Sequence, residues 1–190
     1  MPQSKILLDS ASYIRLARSI HPLLSNEFGK DNYCLYVLPE FEKEFQKNAK
    51  LQSRFGWVND SEHKDNRSNM LALSRKEKKN IEITKDFILD YAVENQPGIS
   101  KVDIAVLSYS YTLNIPLATD DSDMIKVAKY YNIVAYKTLE LIRLMLDYEH
   151  IDMKKVEQIA SYWIYVNDQP KDFARDYKKL FKKPLPKPSH

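Results

Sequence analysis

Short apolar runs and amphipathic stretches alternate along most of this chain. Lys5-Ile6-Leu7-Leu8-Asp9 is an apolar run closed by an acid, and after Ser10 an apolar pattern of helical spacing runs through Ile14, Ala17, Leu23 and Leu24. A strand followed by a helix is predicted. Tyr33-Cys34-Leu35-Tyr36-Val37-Leu38 reads as a second buried strand. Pro39 then sits where the first position of a helix tolerates proline, and Phe41 and Phe45 fall on one face of that helix. Residues 47 to 74 are polar and aperiodic, rich in Asn, Ser and charge, with Phe55-Gly56-Trp57 as the apolar anchor. This stretch is expected to be a long, partly mobile loop or insertion.

Helical periodicity resumes from about Arg75 to Glu94 and stops at Gln96-Pro97-Gly98. Ser100 opens a helix, Val102 to about Leu113, ahead of a third strand at Ile115-Pro116-Leu117-Ala118. Ser122 to Tyr131 is helical, Ile133-Val134-Ala135-Tyr136 is a fourth strand, and Thr138 begins a helix running to about Glu149. Strands separated by helices imply a parallel sheet with right-handed crossovers. Two more helices, roughly Met153 to Val166 and Lys171 to Phe181, precede a Pro-broken basic tail from Lys182 to Pro188. No shift in composition marks a second independent domain. Residues 1–150 are therefore assigned to one α/β domain, with the insertion at about 47–74, and residues 151–190 to helices and a tail packed on it or extending it.

A chain of 190 residues, 44% hydrophobic and 29% charged, is large enough for its own core and unlike a disordered tail or a fibrous repeat. Cys34 is the only cysteine, which excludes an internal disulfide framework and a Cys-based zinc or iron–sulfur site and suits a reducing compartment. No apolar run reaches about 18 residues and the start does not read as a signal peptide, so a cytoplasmic location without membrane contact is expected. Three glycines leave no Gly-rich phosphate loop, against a nucleotide-cradling enzyme. His21, His63, His150 and His190 are scattered along the sequence, which gives little support to a histidine base or a zinc site.

The candidate chemistry is acidic. Ligands of open parallel sheets bind outside the carboxyl ends of the strands. Asp9 ends the first predicted strand, Glu40 and Glu44 lie in the first turns after the second, Asp120, Asp121 and Asp123 follow the third, and Asp103 starts the helix that feeds it. Carboxylates gathered there would repel and raise one another's pKa, a cost that a divalent cation removes; hard oxygen ligands suit magnesium or manganese. Each acid also has a structural use. Asp103 stands three residues after Ser100, the spacing of a capping pair, Asp121 can cap the following helix, and Glu40 is an ordinary first-turn acid. Asp9 is the hardest to explain structurally, because a buried strand end is a poor place for an unpartnered acid.

Four stretches together resemble the PIN-domain nucleases, particularly the VapC-like toxins of bacterial toxin–antitoxin systems. They are Ile6-Leu7-Leu8-Asp9-Ser10, Leu38-Pro39-Glu40-Phe41-Glu42-Lys43-Glu44-Phe45, Ser100-Lys101-Val102-Asp103-Ile104-Ala105-Val106-Leu107-Ser108 and Pro116-Leu117-Ala118-Thr119-Asp120-Asp121-Ser122-Asp123. The resemblance covers roughly residues 5–45 and 99–138. It implies a three-layer α/β/α fold around a central parallel sheet of about four to five strands, here with a C-terminal helical extension. It also implies a magnesium- or manganese-dependent endoribonuclease, with catalytic roles on Asp9, Glu44, Asp103 and Asp121. Asp9, Asp103, Asp121 and an auxiliary Asp123 would hold the metal, and Thr119 matches the family's hydroxyl near it. Ser10 is a supporting residue, and Glu40 competes with Glu44, as Asp120 does with Asp121, for the family positions. For a toxin the resemblance further implies a small antitoxin covering the acids, and a homodimer. Ala11, two residues after Asp9, stands where the family often carries a small polar residue.

Charge distribution fits an RNA substrate. Between Lys43 and Lys79 there are ten Lys/Arg against five Asp/Glu, and Lys178 to His190 holds five Lys and no acid. Such flanks suit a phosphate backbone, and they equally suit solvated surface. Thirteen tyrosines with Trp57 and Trp163 offer stacking surfaces, although Tyr162, Trp163, Tyr165 and Val166 read as a packed helix. The alternatives are a catalytically silent RNA-binding or scaffold protein of the same fold and a phospho-acceptor receiver domain. The second wants an acidic pair closing the first strand, where Asp9 is followed by Ser10. A haloacid-dehalogenase-like phosphatase would want an acid at position 11.

Overall fold

A computed structural model describes residues 3–189; Met1, Pro2 and His190 lie outside the described residues. Four strands form one parallel sheet: β1 (Ser4–Leu8), β2 (Tyr33–Val37), β3 (Leu117–Ala118) and β4 (Ala135–Tyr136), in the order β2-β1-β3-β4. The central strand β1 pairs along its whole length with β2, from Ser4 opposite Tyr33 to Leu8 opposite Val37, and its last residues pair with Leu117 and Ala118 of β3. The third and fourth predicted runs are longer than the strands they contain, because β3 and β4 pair over two residues only.

Side chains alternate across a strand, so each apolar run supplies both faces of the sheet. Ile6, Leu8, Leu35 and Val37 face the layer built by α1 (Ser10–Ala17), α8 (Thr138–Asp147), α9 (Met153–Tyr165) and α10 (Phe173–Phe181). Leu7 and Leu117 face the opposite layer of α5 (Arg75–Asn95), α6 (Lys101–Leu113) and α7 (Ser122–Tyr130). The result is a three-layer α/β/α fold with C-terminal helices. Those helices belong to the first layer's core: Trp163 and Tyr177 are fully buried, and the Trp163 indole N–H donates to the Arg15 carbonyl at 3.0 Å. Tyr165, on the same helix, is exposed.

Residues 47–74 are not the long loop that their polarity suggests. After α2 (Glu40–Lys47) the chain forms α3 (Ala49–Arg54), a 3-10 turn (Gly56–Asn59) and α4 (Ser61–Arg67). Asn48 caps α3 by accepting from the Leu51 N–H. Val58 is buried in the main core, with Leu51, Phe55 and Trp57 against it, but these anchors are irregularly spaced and polar groups complete the packing, which leaves no hydrophobic period to read. The Arg67 guanidinium is buried and donates to the Tyr13 hydroxyl, the Val58 and His63 carbonyls and the Glu42 carboxylate, while Asn66 bonds both backbone groups of Leu24. The same folding brings His21 and His63, far apart in sequence, to a ring separation of 4.5 Å.

Arg67→Met keeps the aliphatic stem and removes the guanidinium, leaving the Tyr13 hydroxyl and the Val58 carbonyl without this donor. A loss of about 2–4 kcal/mol is expected, scaled for a Glu42 partner that is itself partly exposed. Urea denaturation checks it, and amide exchange should accelerate between residues 48 and 68 first.

Candidate functional site

The connections from β1 and β3 leave the sheet in opposite directions. The loop after β1 enters α1 in one layer, and the loop after β3 enters α7 in the other. Neighbouring strands whose crossovers diverge in this way open a crevice at their carboxyl ends, the usual ligand position of a doubly wound sheet. Asp9 leaves β1 at this point and Thr119 leaves β3. They are joined directly, the Thr119 hydroxyl donating to Asp9 Oδ2 at 2.5 Å.

Asp9 is 4% exposed and caps α1, with Oδ1 accepting from the Ser12 N–H at 2.7 Å. Burial, assisted by the nearby charge of Asp103, pushes its carboxyl up to about 6 despite the hydrogen bonds from Thr119 and Ser12. Asp103 sits in the first turn of α6 and completes a capping box with Ser100: its N–H donates to the Ser100 hydroxyl, and its Oδ2 accepts from the Ser100 N–H. Its pKa is raised, first by burial and then by the charges of Asp121 and Glu44. Asp103 is therefore the electrostatic centre through which Asp9, Glu44 and Asp121 are coupled.

The other two acids are also held. Glu44, in the second turn of α2, accepts from the Ser10 hydroxyl at 2.5 Å. Asp121 caps α7 with Oδ1, accepting from the Asp123 and Met124 N–H groups, and its own N–H donates to Thr119 Oγ1. Asp103 Oδ1, Glu44 Oε1 and Asp121 Oδ2 accept no hydrogen bond from the described residues. Asp123 is paired with Lys126 at 2.8 Å on the rim.

Glu40 and Asp120 point away from Glu44 and Asp121. Asp120 turns into the first helical layer, where Arg15 reaches it at 2.7 Å and the Thr138 N–H and hydroxyl both donate to it. It anchors α8 to α1. Glu40 faces α5, with Lys85 at 3.7 Å and its Oε2 buried without a hydrogen-bond partner. Ser12, Arg15 and Thr138 were not singled out by the sequence, and a polar side chain inside a helical pattern carries no signal that a strand-end acid lies opposite. Ser12 Oγ also bridges to Thr138 Oγ1 at 3.2 Å, so the polar support absent at Ala11 comes from the next residue.

The donor set is hard oxygen from four separate elements, the chemistry of magnesium or manganese. Among the described residues, no three His, Cys, Asp or Glu side chains stand close enough to form a ready-made shell. Magnesium does not ask for one, since it keeps several waters and binds through one or two carboxylates. Asp103 and Asp121, each with a free oxygen, are the residues that fit it. No family model, curated protein or solved structure matches this chain. Among the described residues no helix is long and apolar enough to cross a membrane.

Native Asp9 keeps its proton to about pH 6, whereas an aspartate in the unfolded chain releases it near 3.8. The native state thus binds more protons between those values, and the stability Asp9 contributes is full below about pH 4 and lost as pH rises through about 6. The change approaches ~3 kcal/mol. Asn at position 9 still caps but does not titrate. In urea titrations with EDTA, the stability of wild type relative to Asp9→Asn should fall by that order between pH 4 and 7.5; a constant difference refutes the shift.

Proposed function

We propose that this chain is a metal-dependent endoribonuclease of the PIN type, hydrolysing RNA phosphodiester bonds. The observation that carries the reading is geometric: at the carboxyl edge of the sheet, over the divergent ends of β1 and β3, one Thr119 hydroxyl ties Asp9 to the Asp121 backbone, while Asp103 closes the α6 cap and Ser10 holds Glu44. Uncompensated negative charge of this kind is a standing demand for a cation.

Bound magnesium or manganese would supply Lewis-acid polarisation of the phosphate and a water that ionises near neutral pH. Asp103 and Asp121 would hold the ion, with Asp123 outside them as the auxiliary acid. Glu44, held by Ser10, would accept a proton from the attacking water or orient it. Asp9, locked between Thr119 and Ser12, would supply fixed negative charge behind them. The reading includes the toxin role, with a small antitoxin over the acids and a homodimer as expected partners, and a cytoplasmic location.

A catalytically silent RNA-binding protein is the second reading. It is favoured by the extent to which the acids are already employed: both Asp9 oxygens accept hydrogen bonds, and Asp121 caps a helix.

The two separate on one experiment, incubation of a mixed structured-RNA pool with purified protein in magnesium or manganese, in EDTA, and with Asp103→Asn. Asn retains the capping acceptor and loses the charge, so cleavage should drop more than about 100-fold with the melting temperature nearly unchanged. Cleavage surviving in Asp103→Asn removes that residue from the site, and no cutting by folded wild type moves the reading to the silent binder.

A further inference from the structure

We propose that the groove between α2, α3 and the start of α6 holds the backbone of single-stranded RNA, and that the adjoining apolar cavity beside β2 receives one unstacked base. The inference rests on the nuclease reading, because Glu44 forms part of the groove wall.

The groove has a volume of about 670 Å³, and its wall carries Lys43, Lys47, Lys50 and Lys101 together with Glu40 and Glu44. All four lysines are exposed, and none makes an ion pair among the described residues. Among the described residues four of the 22 lysines, Lys85, Lys126, Lys137 and Lys183, meet a carboxylate within 4.0 Å, so what sets the groove lysines apart is their gathering on one concave wall. Four unpaired ammonium groups on one concave wall, ending at a candidate catalytic acid, form a track for repeated anions. Phosphates spaced along a flexible strand satisfy it, each contact releasing a counterion.

Lys43 also lines a second cavity of about 430 Å³, so the two spaces meet at that residue. The floor of the second is Val37, Leu38, Pro39 and Phe41, and Lys64 and Met70 stand on its wall. Val37 pairs with Leu8, the residue before Asp9, so this cavity opens one strand away from the acids. An apolar floor with a cationic rim, in the size range of small-ligand sites of about 300–1,000 Å³, fits a planar base whose phosphate lies on the lysine track. A base can enter such a cavity only out of its stack, which makes the ligand a single strand or loop.

The test is fluorescence anisotropy in EDTA, where no cutting occurs, with a labelled single-stranded ten-nucleotide RNA, the same sequence as a duplex, and a polyglutamate peptide. Lys47→Ala/Lys50→Ala should weaken single-strand binding at least tenfold and lower the salt slope by about 1.4, roughly 0.7 for each lost lysine. Lys129→Ala/Lys154→Ala removes equal charge elsewhere and should leave binding unchanged. A 2-aminopurine placed along the strand should brighten at one position, where it leaves the stack. Unchanged binding in the Lys47/Lys50 variant, equal affinity for the duplex, equal affinity for polyglutamate, or uniformly quenched 2-aminopurine each overturns the proposal. RNA bound in this manner but uncut in magnesium would sink the nuclease reading and leave the groove standing. RNA cut equally by wild type and the Lys47/Lys50 variant would do the reverse.

Discussion

The hydrogen bond from the Thr119 hydroxyl to the Asp9 carboxylate is the contact on which the site depends. It crosses the gap between β1 and β3, the place in the sheet where the chain departs into opposite layers. Thr119 is fully buried, and the same oxygen accepts the Asp121 N–H, so one hydroxyl sets the direction of both strand exits. Asp9 is thereby fixed but not neutralised: its partners are a hydroxyl and a backbone N–H, neither of which carries a positive charge. A carboxyl in that position is harder to ionise than one in water, which is why it releases its proton only near pH 6.

Three helix N-termini converge on this edge. Asp9 caps α1, Asp121 caps α7, and Asp103 completes the capping box of α6. The structural and the chemical uses of these acids are therefore compatible. A cap employs one carboxylate oxygen and faces the acid toward the partial positive charge of the helix end, which makes a cluster of acids tolerable. For Asp103 and Asp121 the second oxygen is left over. The fold holds the acids in place through the first oxygen and leaves the second for a ligand.

Legibility in the sequence follows the physics of each part. Strand and helix types could be read because burial on two faces of a sheet imposes its own periods, as in Ile6-Leu7-Leu8, whose members divide between the two layers. The acids could be read because strand ends are definite places. What could not be read was direction. Asp120 and Asp121 are neighbours, yet Asp120 turns to Arg15 and Thr138 in one layer and Asp121 to α7 in the other, a difference set by tertiary partners 18 to 105 residues away from Asp120. The helices between residues 48 and 68 were hidden for a similar reason. Their few apolar anchors, Leu51, Phe55, Trp57 and the buried Val58, are irregularly spaced, and the Arg67 and Asn66 hydrogen bonds that complete the packing leave no apolar period to read.

The charges of the protein are nearly balanced in number, with 29 Lys and Arg against 26 Asp and Glu, but not in place. Acids collect at the strand ends, while α2, α3 and the start of α6 carry lysines that ignore them. Pairing was open to both groups: the residues are neighbours around Glu44, and ion pairs form readily elsewhere on this surface. On the proposed reading one ligand meets both groups: an RNA strand presents a polyanion to the lysines and its associated divalent ions to the acids, which is why the acid cluster and the lysine groove are more informative together than either is alone.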